Sequence, residues 1–313
     1  MATADATYQF GSSGAVVART EEFGFFNKDY IARAQALYIG NDAITWRETD
    51  GAGQSSAYGS EFDFDAEYAN DAGVRGLGMA APMSRGQSRN SYYFAPEHRG
   101  KVVGLDKKDP NIKSEGSLAE AVMMRQQASY SLCLQSIDRL IIDAIFGATT
   151  PFLAADVASG GAWSVAASNI QLQLASARNG AGVVDGELLT ELAISHSHFL
   201  ELKANTSLVT QYGGNTGAGT LSPELLQTAL SNMGVEKLHV FRSRWGVLGN
   251  FAVLMREGTL QGRWMPQDGE DGNGISVEEE FLAGSFGNVP LEYASKHCDL
   301  FVPVDYGVRL SGV

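Results

Sequence analysis

The chain has 313 residues, 44% of them hydrophobic and 10% aromatic, enough for one large or two modest cores and too apolar for wholesale disorder. A formal charge of −13 argues against tight, sequence-independent binding to nucleic acid, which needs a strongly basic face, although such a chain can still sit beside DNA without gripping it. No apolar run reaches membrane-spanning length, the N-terminus lacks a basic-then-apolar signal, and Cys133 and Cys298 are too far apart in sequence to read as a disulfide framework or a zinc knuckle.

Residues 1–24 are small and polar with little periodicity, the pattern of an arm that orders against a partner. Asp29 to Leu37 predicts a short helix, and the Gly- and Ser-rich stretch from Glu48 to Ser60 a flexible loop. Glu61 to Tyr68 alternates, with Phe62, Phe64, Ala66 and Tyr68 on one face and Glu61, Asp63, Asp65 and Glu67 on the other, which predicts a half-exposed strand. A second aromatic run, Tyr92, Tyr93 and Phe94, pairs with it in the expected long hairpin, and Lys101 to Leu105 reads as a further strand. Charge is sorted along this hairpin. Asp50, Glu61, Asp63, Asp65, Glu67 and Asp71 fall on one limb, and Arg75, Arg85, Arg89, Arg99, Lys101, Lys107 and Lys108 on the other. Such sorting suits two solvated faces, or a ribbon whose sides meet oppositely charged neighbours head to tail. A long hairpin is poorly stable alone and needs something to lie on, which favours the ribbon.

Ser117 to Gly147 organises the rest. Apolar residues Leu118, Ala121, Val122, Ala128, Leu132, Leu140, Ile141, Ala144 and Ile145 recur at helical intervals, with no interior Gly or Pro. Ser117 with Glu120 fits a capping box, and Gly147 followed by Pro151 fits a stop. A helix this long serves as a backbone or a lever. After a Gly/Ser/Ala connector the chain alternates: helix at Ser168 to Arg178, strand at Leu188 to Ile194, helices at His196 to Lys203 and at Ser222 to Ser231, strands at Val235 to Phe241 and Phe251 to Met255. It then turns to strands at Ser276 to Leu282, Val289 to Tyr293, Leu300 to Val304 and Gly307 to Leu310.

Candidate chemistry is thin. His196 and His198 have no third ligand at a recognisable spacing. The glycines of Tyr212 to Thr220 lack the Lys-hydroxyl pair of a phosphate loop and the dinucleotide spacing. Asp268 to Gly274 resembles a calcium loop, but Gly272 takes a ligand position and Asn273 replaces the required glycine. No serine sits in a nucleophile elbow, and His297 beside Cys298 on a strand points to the opposite face. No catalytic residue, cofactor site or metal site is expected, and no enzyme.

The order of parts (loose arm, long hairpin, long helix, inserted α/β unit, return to strands) resembles a tailed-bacteriophage major capsid protein of the Hong Kong 97-like fold, an α+β class. Three stretches carry the likeness: Glu191 to Asn205, Gly234 to Trp245, and Glu278 to Leu310 with its Asp-x-Gly turn at Asp305 and Gly307. The resemblance implies an N-terminal arm over 1–48, an extended loop and first peripheral strand over 49–110, a spine helix and peripheral domain over 111–160, an axial domain over 161–270 and closing peripheral strands over 271–313. It implies self-assembly through hexamers and pentamers into an icosahedral head enclosing double-stranded DNA, with portal and decoration proteins as partners and no membrane. Assembly would take place in the host cytoplasm and the product would be a virion. Met1 opens directly onto the arm, so any scaffolding protein is expected to be separate. Covalent links between hairpins would need Lys, Asn and a carboxylate meeting across subunits, and only Lys101, Lys107 and Lys108 near the hairpin base are candidates. The expected subunit contacts are Phe62, Asp63, Phe64, Asp65, Glu67, Tyr68, Arg85, Arg89, Tyr92, Tyr93 and Phe94. The rivals are an α/β enzyme or small-molecule binder built on Ser168 to Met255, and another virion part such as a tail or decoration protein.

Overall fold

The computed structural model describes residues 17–18, 27–48, 57–62, 89–94, 97–104, 115–147, 149–152, 155–164, 168–180, 189–213, 219–242, 250–265, 274–282, 289–302 and 307–313. Its axis is α3, Glu115–Ile145, 31 residues and so about 46 Å long. Its buried positions are Val122, Gln126, Ser129, Tyr130, Cys133, Leu134, Ile137, Asp138, Ile141, Ile142 and Ile145, with Phe146 just beyond, a stripe at three- and four-residue spacing. Ala128, Leu132 and Leu140, expected on that stripe, are only half-buried along its flank. Polar residues stand in the rotated stripe, and two of them take backbone partners there. Ser129 Oγ accepts from the Ala294 N–H at 2.7 Å, and Asp138 Oδ1 accepts from the Gly40 N–H at 2.6 Å. The helix also starts two residues ahead of Ser117, which therefore lies in the first turn and not at the cap.

Two short helices, α1 (Lys28–Leu37) and α2 (Gly40–Ala43), lie against α3. The α1 contact is largely polar: Tyr30 Oη donates to the Gln127 carbonyl at 2.8 Å, and Gln135 Nε2 donates to Tyr38 Oη at 2.6 Å. Gly40 is required where α2 meets α3, since a Cβ there would stand 2.5 Å from Asp138 Oδ1 and 3.0 Å from the Asp138 Cα.

A first sheet is built around one long strand, β12 (Val289–Phe301). Cys298 pairs with both Glu97 of β5 (Glu97–Gly104) and Trp264 of β10 (Gln261–Trp264), and Ser295 pairs with both Gly100 of β5 and Ser276 of β11 (Ser276–Leu282). So β5 runs along one edge of β12, while β11 and then β10 share the other. Outside them, β1 (Val17–Ala18) adds antiparallel to β11, and β2 (Thr45–Glu48) adds parallel to β10. Two expected strands, at Val289 and at Leu300, are thus one. The stretch between them looked like a break because it is polar, yet Ser295, Lys296 and Cys298 are all buried.

A second sheet has the order β6 (Val157–Ala158), β13 (Gly307–Ser311), β9 (Phe251–Met255), β7 (Glu191–Ser195), β8 (Lys237–Phe241). Its faces separate two cores. Leu192, Ile194, Ala252, Leu254, Val308 and Leu310 pack with Leu174 of α4 (Ile170–Gly180), Leu202 of α5 (His196–Ala204), Leu208 of α6 (Thr206–Tyr212) and Leu230 of α7 (Pro223–Asn232). Ala193, Phe241, Phe251, Val253 and Met255 pack instead with Ile142, Ile145 and Phe146 at the end of α3. Phe146 meets Phe241 edge to face, with ring centroids 6.1 Å apart. Burial on both faces explains why β7 is apolar or buried along its whole length.

Most expected elements stand within a few residues of their predicted ends. Pro223 opens α7 behind Ser222, whose side chain accepts from the Leu225 N–H at 3.3 Å. One placement is corrected. Gly307 to Leu310 was expected with the closing strands of the first sheet, but β13 pairs with β9 in the second. Its apolar residues Val308 and Leu310 fit a buried position in either sheet, so alternation could not choose between them.

Candidate assembly elements

The expected hairpin exists as a two-stranded sheet of β3 (Ala57–Phe62) and β4 (Arg89–Phe94). The antiparallel register sets Phe62 opposite Arg89, Gly59 opposite Tyr92, Tyr58 opposite Tyr93 and Ala57 opposite Phe94. Period-two alternation then gives Tyr58, Phe62, Arg89 and Tyr93 positions on one face, and Tyr92 and Phe94 positions on the other. So the aromatic run is divided between both faces. Of the expected contact residues, Phe62, Arg89, Tyr92, Tyr93 and Phe94 lie on this ribbon, while Asp63, Phe64, Asp65, Glu67, Tyr68 and Arg85 lie outside the described residues. The strand begins at Ala57, ahead of the alternating stretch expected to form it, inside what read as a loop.

Beyond Phe94 the chain enters β5, so Arg99 and Lys101 belong to the first sheet, opposite Lys296 and Ala294, and not to a ribbon limb. Arg99 pairs within its own strand, its Nη2 lying 3.0 Å from Glu97 Oε2. Gly100 is fixed by this docking, for a Cβ there would fall 2.2 Å from the Ala294 carbonyl oxygen.

Sequence reasoning missed the buried charged groups. Lys296 is 2% exposed; its Nζ donates to Asn41 Oδ1 at 2.8 Å and lies 3.8 Å from the Trp46 ring centroid and 5.8 Å from that of Trp264. It pins β12 to α2, β2 and β10 at once. Asp138, fully buried, has its carboxyl pushed from 3.8 up to about 7 by loss of water, against the opposing pull of the Gly40 N–H. Its Oδ2 has no hydrogen-bond partner. On the second sheet, Glu191 and His239 form a buried cross-strand pair at 3.0 Å, with Lys237 3.8 Å from the same carboxylate.

His196 and His198 open α5, where Ser195 caps by accepting from the His198 N–H at 3.2 Å. The rings part company. His196 stacks on Phe199, and His198 meets Trp163 edge to face at 5.9 Å. Burial lowers both pKa values, helped at His196 by the Arg242 charge. Both cysteines are free and buried, and burial pushes the Cys298 thiol up to about 12, where it is a poor nucleophile. Among the described residues no group of three His, Cys, Asp or Glu could hold a metal, and no helix is long and apolar enough to cross a membrane.

With this geometry in view, the fold finds its class. The chain resembles a phage-related protein from Bordetella bronchiseptica (TM-score 0.56, 12% identity, covering 91% of this chain and 96% of that one). It also resembles the capsid of Myoviridae phage XM1 (TM-score 0.52, 10% identity, 97% and 95%) and the capsid of a native GTA particle (TM-score 0.50, 10% identity, 88% and 96%). No family model and no curated protein matches the sequence. The fold is the Hong Kong 97-like capsid fold, shared nearly end to end.

Proposed function

We propose that this chain is the major subunit of an icosahedral head shell, enclosing the double-stranded DNA of a tailed phage. The observation that carries the reading is the fold's extent, since 97% of the chain aligns with 95% of the XM1 phage capsid chain. In this reading β3 and β4 are the extended loop, α3 is the spine of the peripheral domain, and the second sheet with α4 to α7 is the axial domain. Rings of five and six subunits are made by the axial unit, and the ribbon crosses onto a neighbour. Aromatic positions on both ribbon faces suit a strand pair gripped from two sides. Each large aromatic moved from water to a contact contributes roughly 1.5–3 kcal/mol before ordering costs, and repetition around a ring makes modest contacts persistent. The net charge of −13 suits a container whose genome must leave freely. A separate scaffolding protein, a portal and decoration proteins are the expected partners, and assembly takes place in the host cytoplasm.

The test excises the ribbon where the register permits. Ala57 and Phe94 are paired across the hairpin, so a two-residue Gly-Gly link can replace Tyr58 to Tyr93 without disturbing β5. The full chain is expected to give large closed particles by light scattering and electron microscopy, and the excised chain a folded, soluble subunit that forms none. Closed particles from the excised chain would overturn the ribbon's role, and a full chain that stays a monomer under all assembly conditions would overturn the shell.

A further inference from the structure

The second sheet presents one face to the end of α3, and beside the Glu191–His239 pair and Ser195 that mostly apolar face carries a buried arginine, Arg309, which is 3% exposed. In β13, Val308 and Leu310 point into the opposite core, so alternation turns Arg309 toward α3. Its guanidinium joins three segments. Nε donates to Asp156 Oδ1 at 2.8 Å and Nη2 to Asp156 Oδ2 at 2.6 Å, a two-pronged pair. Nη1 donates at 2.6 Å to the carbonyl of Gly147, two residues beyond the end of α3. The guanidinium carbon lies 4.1 Å from the Phe251 ring centroid on β9. A cation at a helix C-terminus is also favoured by the helix dipole.

A second feature of the same junction agrees. Gly307, two residues before Arg309, lets Phe152 of the segment after α3 lie against β13, and a Cβ there would meet the Phe152 ring at 2.5 Å. Phe152 is itself buried in the core that α3 shares with the sheet. The long helix and the α/β unit therefore meet through packed apolar groups, which can slide, and through the directional Arg309–Gly147 hydrogen bond, whose guanidinium is held in place by the two-pronged pair with Asp156 beside β6.

We propose that Arg309 is the positioning residue that fixes the angle between the long helix and the second sheet, and so sets the curvature with which copies of this chain assemble. The curvature part rests on the shell reading above; the angle part does not. Lysine keeps the charge at this place but cannot hold Asp156 with two prongs and reach Gly147 at the same time.

The experiment compares wild type with Arg309→Lys and Asp156→Asn. Hydrogen exchange on the unassembled subunit reads the tie directly. The last turn of α3 and the residue after it, Ile142 to Phe146, should exchange about tenfold faster in Arg309→Lys, with Val122 to Cys133 unchanged. Asp156→Asn, which keeps the side-chain volume, should shift in the same direction by less. Particle diameters measured by electron microscopy should be uniform for wild type and broadened or shifted for both variants. Unchanged exchange in the last turn, or faster exchange spread evenly along α3, overturns the proposal. Local loosening with unchanged diameters overturns its curvature half. Wild type without particles defeats the shell reading, and the exchange result still decides whether Arg309 holds the angle. If Arg309→Lys does not fold, Asp156→Asn carries the same two measurements.

Discussion

Replacing Asp138 by Asn should change the pH dependence of folding more than it changes the fold. The carboxyl is fully buried on α3, accepts one N–H from Gly40 and carries an oxygen with no hydrogen-bond partner, and its pKa rises from 3.8 to about 7 mainly through loss of water. Since the folded state holds this proton more tightly than the unfolded chain, stability is greatest below pH ~4 and is lost as pH climbs toward ~7. At about 1.36 kcal/mol for each tenfold change in proton affinity, the ionised group weakens the fold by roughly 4 kcal/mol in full, and by roughly 2–3 kcal/mol between pH 5 and pH 8. Asn has no charge to expel and can still accept from Gly40. Urea unfolding of the unassembled subunit at pH 5, 6, 7 and 8 measures the difference. Wild type should lose roughly 2–3 kcal/mol more than Asp138→Asn across that interval. Parallel curves for the two proteins would refute the reasoning, because they would mean that Asp138 ionises as readily in the folded state as in the unfolded chain.

Two further outcomes concern the second sheet. His198 is held neutral by burial, with a pKa below its ordinary value, so its contribution is complete above pH ~6.5 and is lost as pH falls below it. His198→Gln should flatten the acid limb of the unfolding curve, opposite in sign to Asp138→Asn, and an unchanged acid limb would contradict the assigned neutral state. Gly307→Ala should lower stability by about 1–3 kcal/mol, as overpacking against the Phe152 ring does in cores. A thermal midpoint equal to wild type would show that Phe152 moves aside without cost.

The long helix was legible because thirty residues without an interior breaker keep one period, but the side it buries was not. Gln126, Ser129 and Asp138 stand in the buried stripe, and polarity pointed a reader of the sequence to solvent. The same bias cut β12 in two at Ser295 and Lys296, since nothing local foretells that Trp46, Trp264 and Asn41, from distant segments, will gather round a lysine. Strand pairing was legible only where a turn joins neighbours. The parallel pairing of β2 with β10, and of β13 with β6, links segments more than 150 residues apart, which no local pattern encodes. Arg309 escaped notice for a related reason. In the run Gly-Val-Arg-Leu-Ser an arginine between two apolar residues looks like the wet face of an edge strand, and only the arrival of α3 on that face makes it a tie. On the ribbon, Tyr92 to Phe94 announced a strand, while its partner begins at Ala57, where Gly59 and Ser60 had suggested a loop.

The most direct measurement of the central claim is an image of the purified full-length chain after expression, by cryo-electron microscopy under assembly conditions. Closed shells are expected, in which rings of five and six copies place the α/β units at their centres, with density from the β3–β4 ribbon of each copy lying over its neighbour. A population of monomers or small oligomers, or shells in which each ribbon lies on its own subunit, would contradict it.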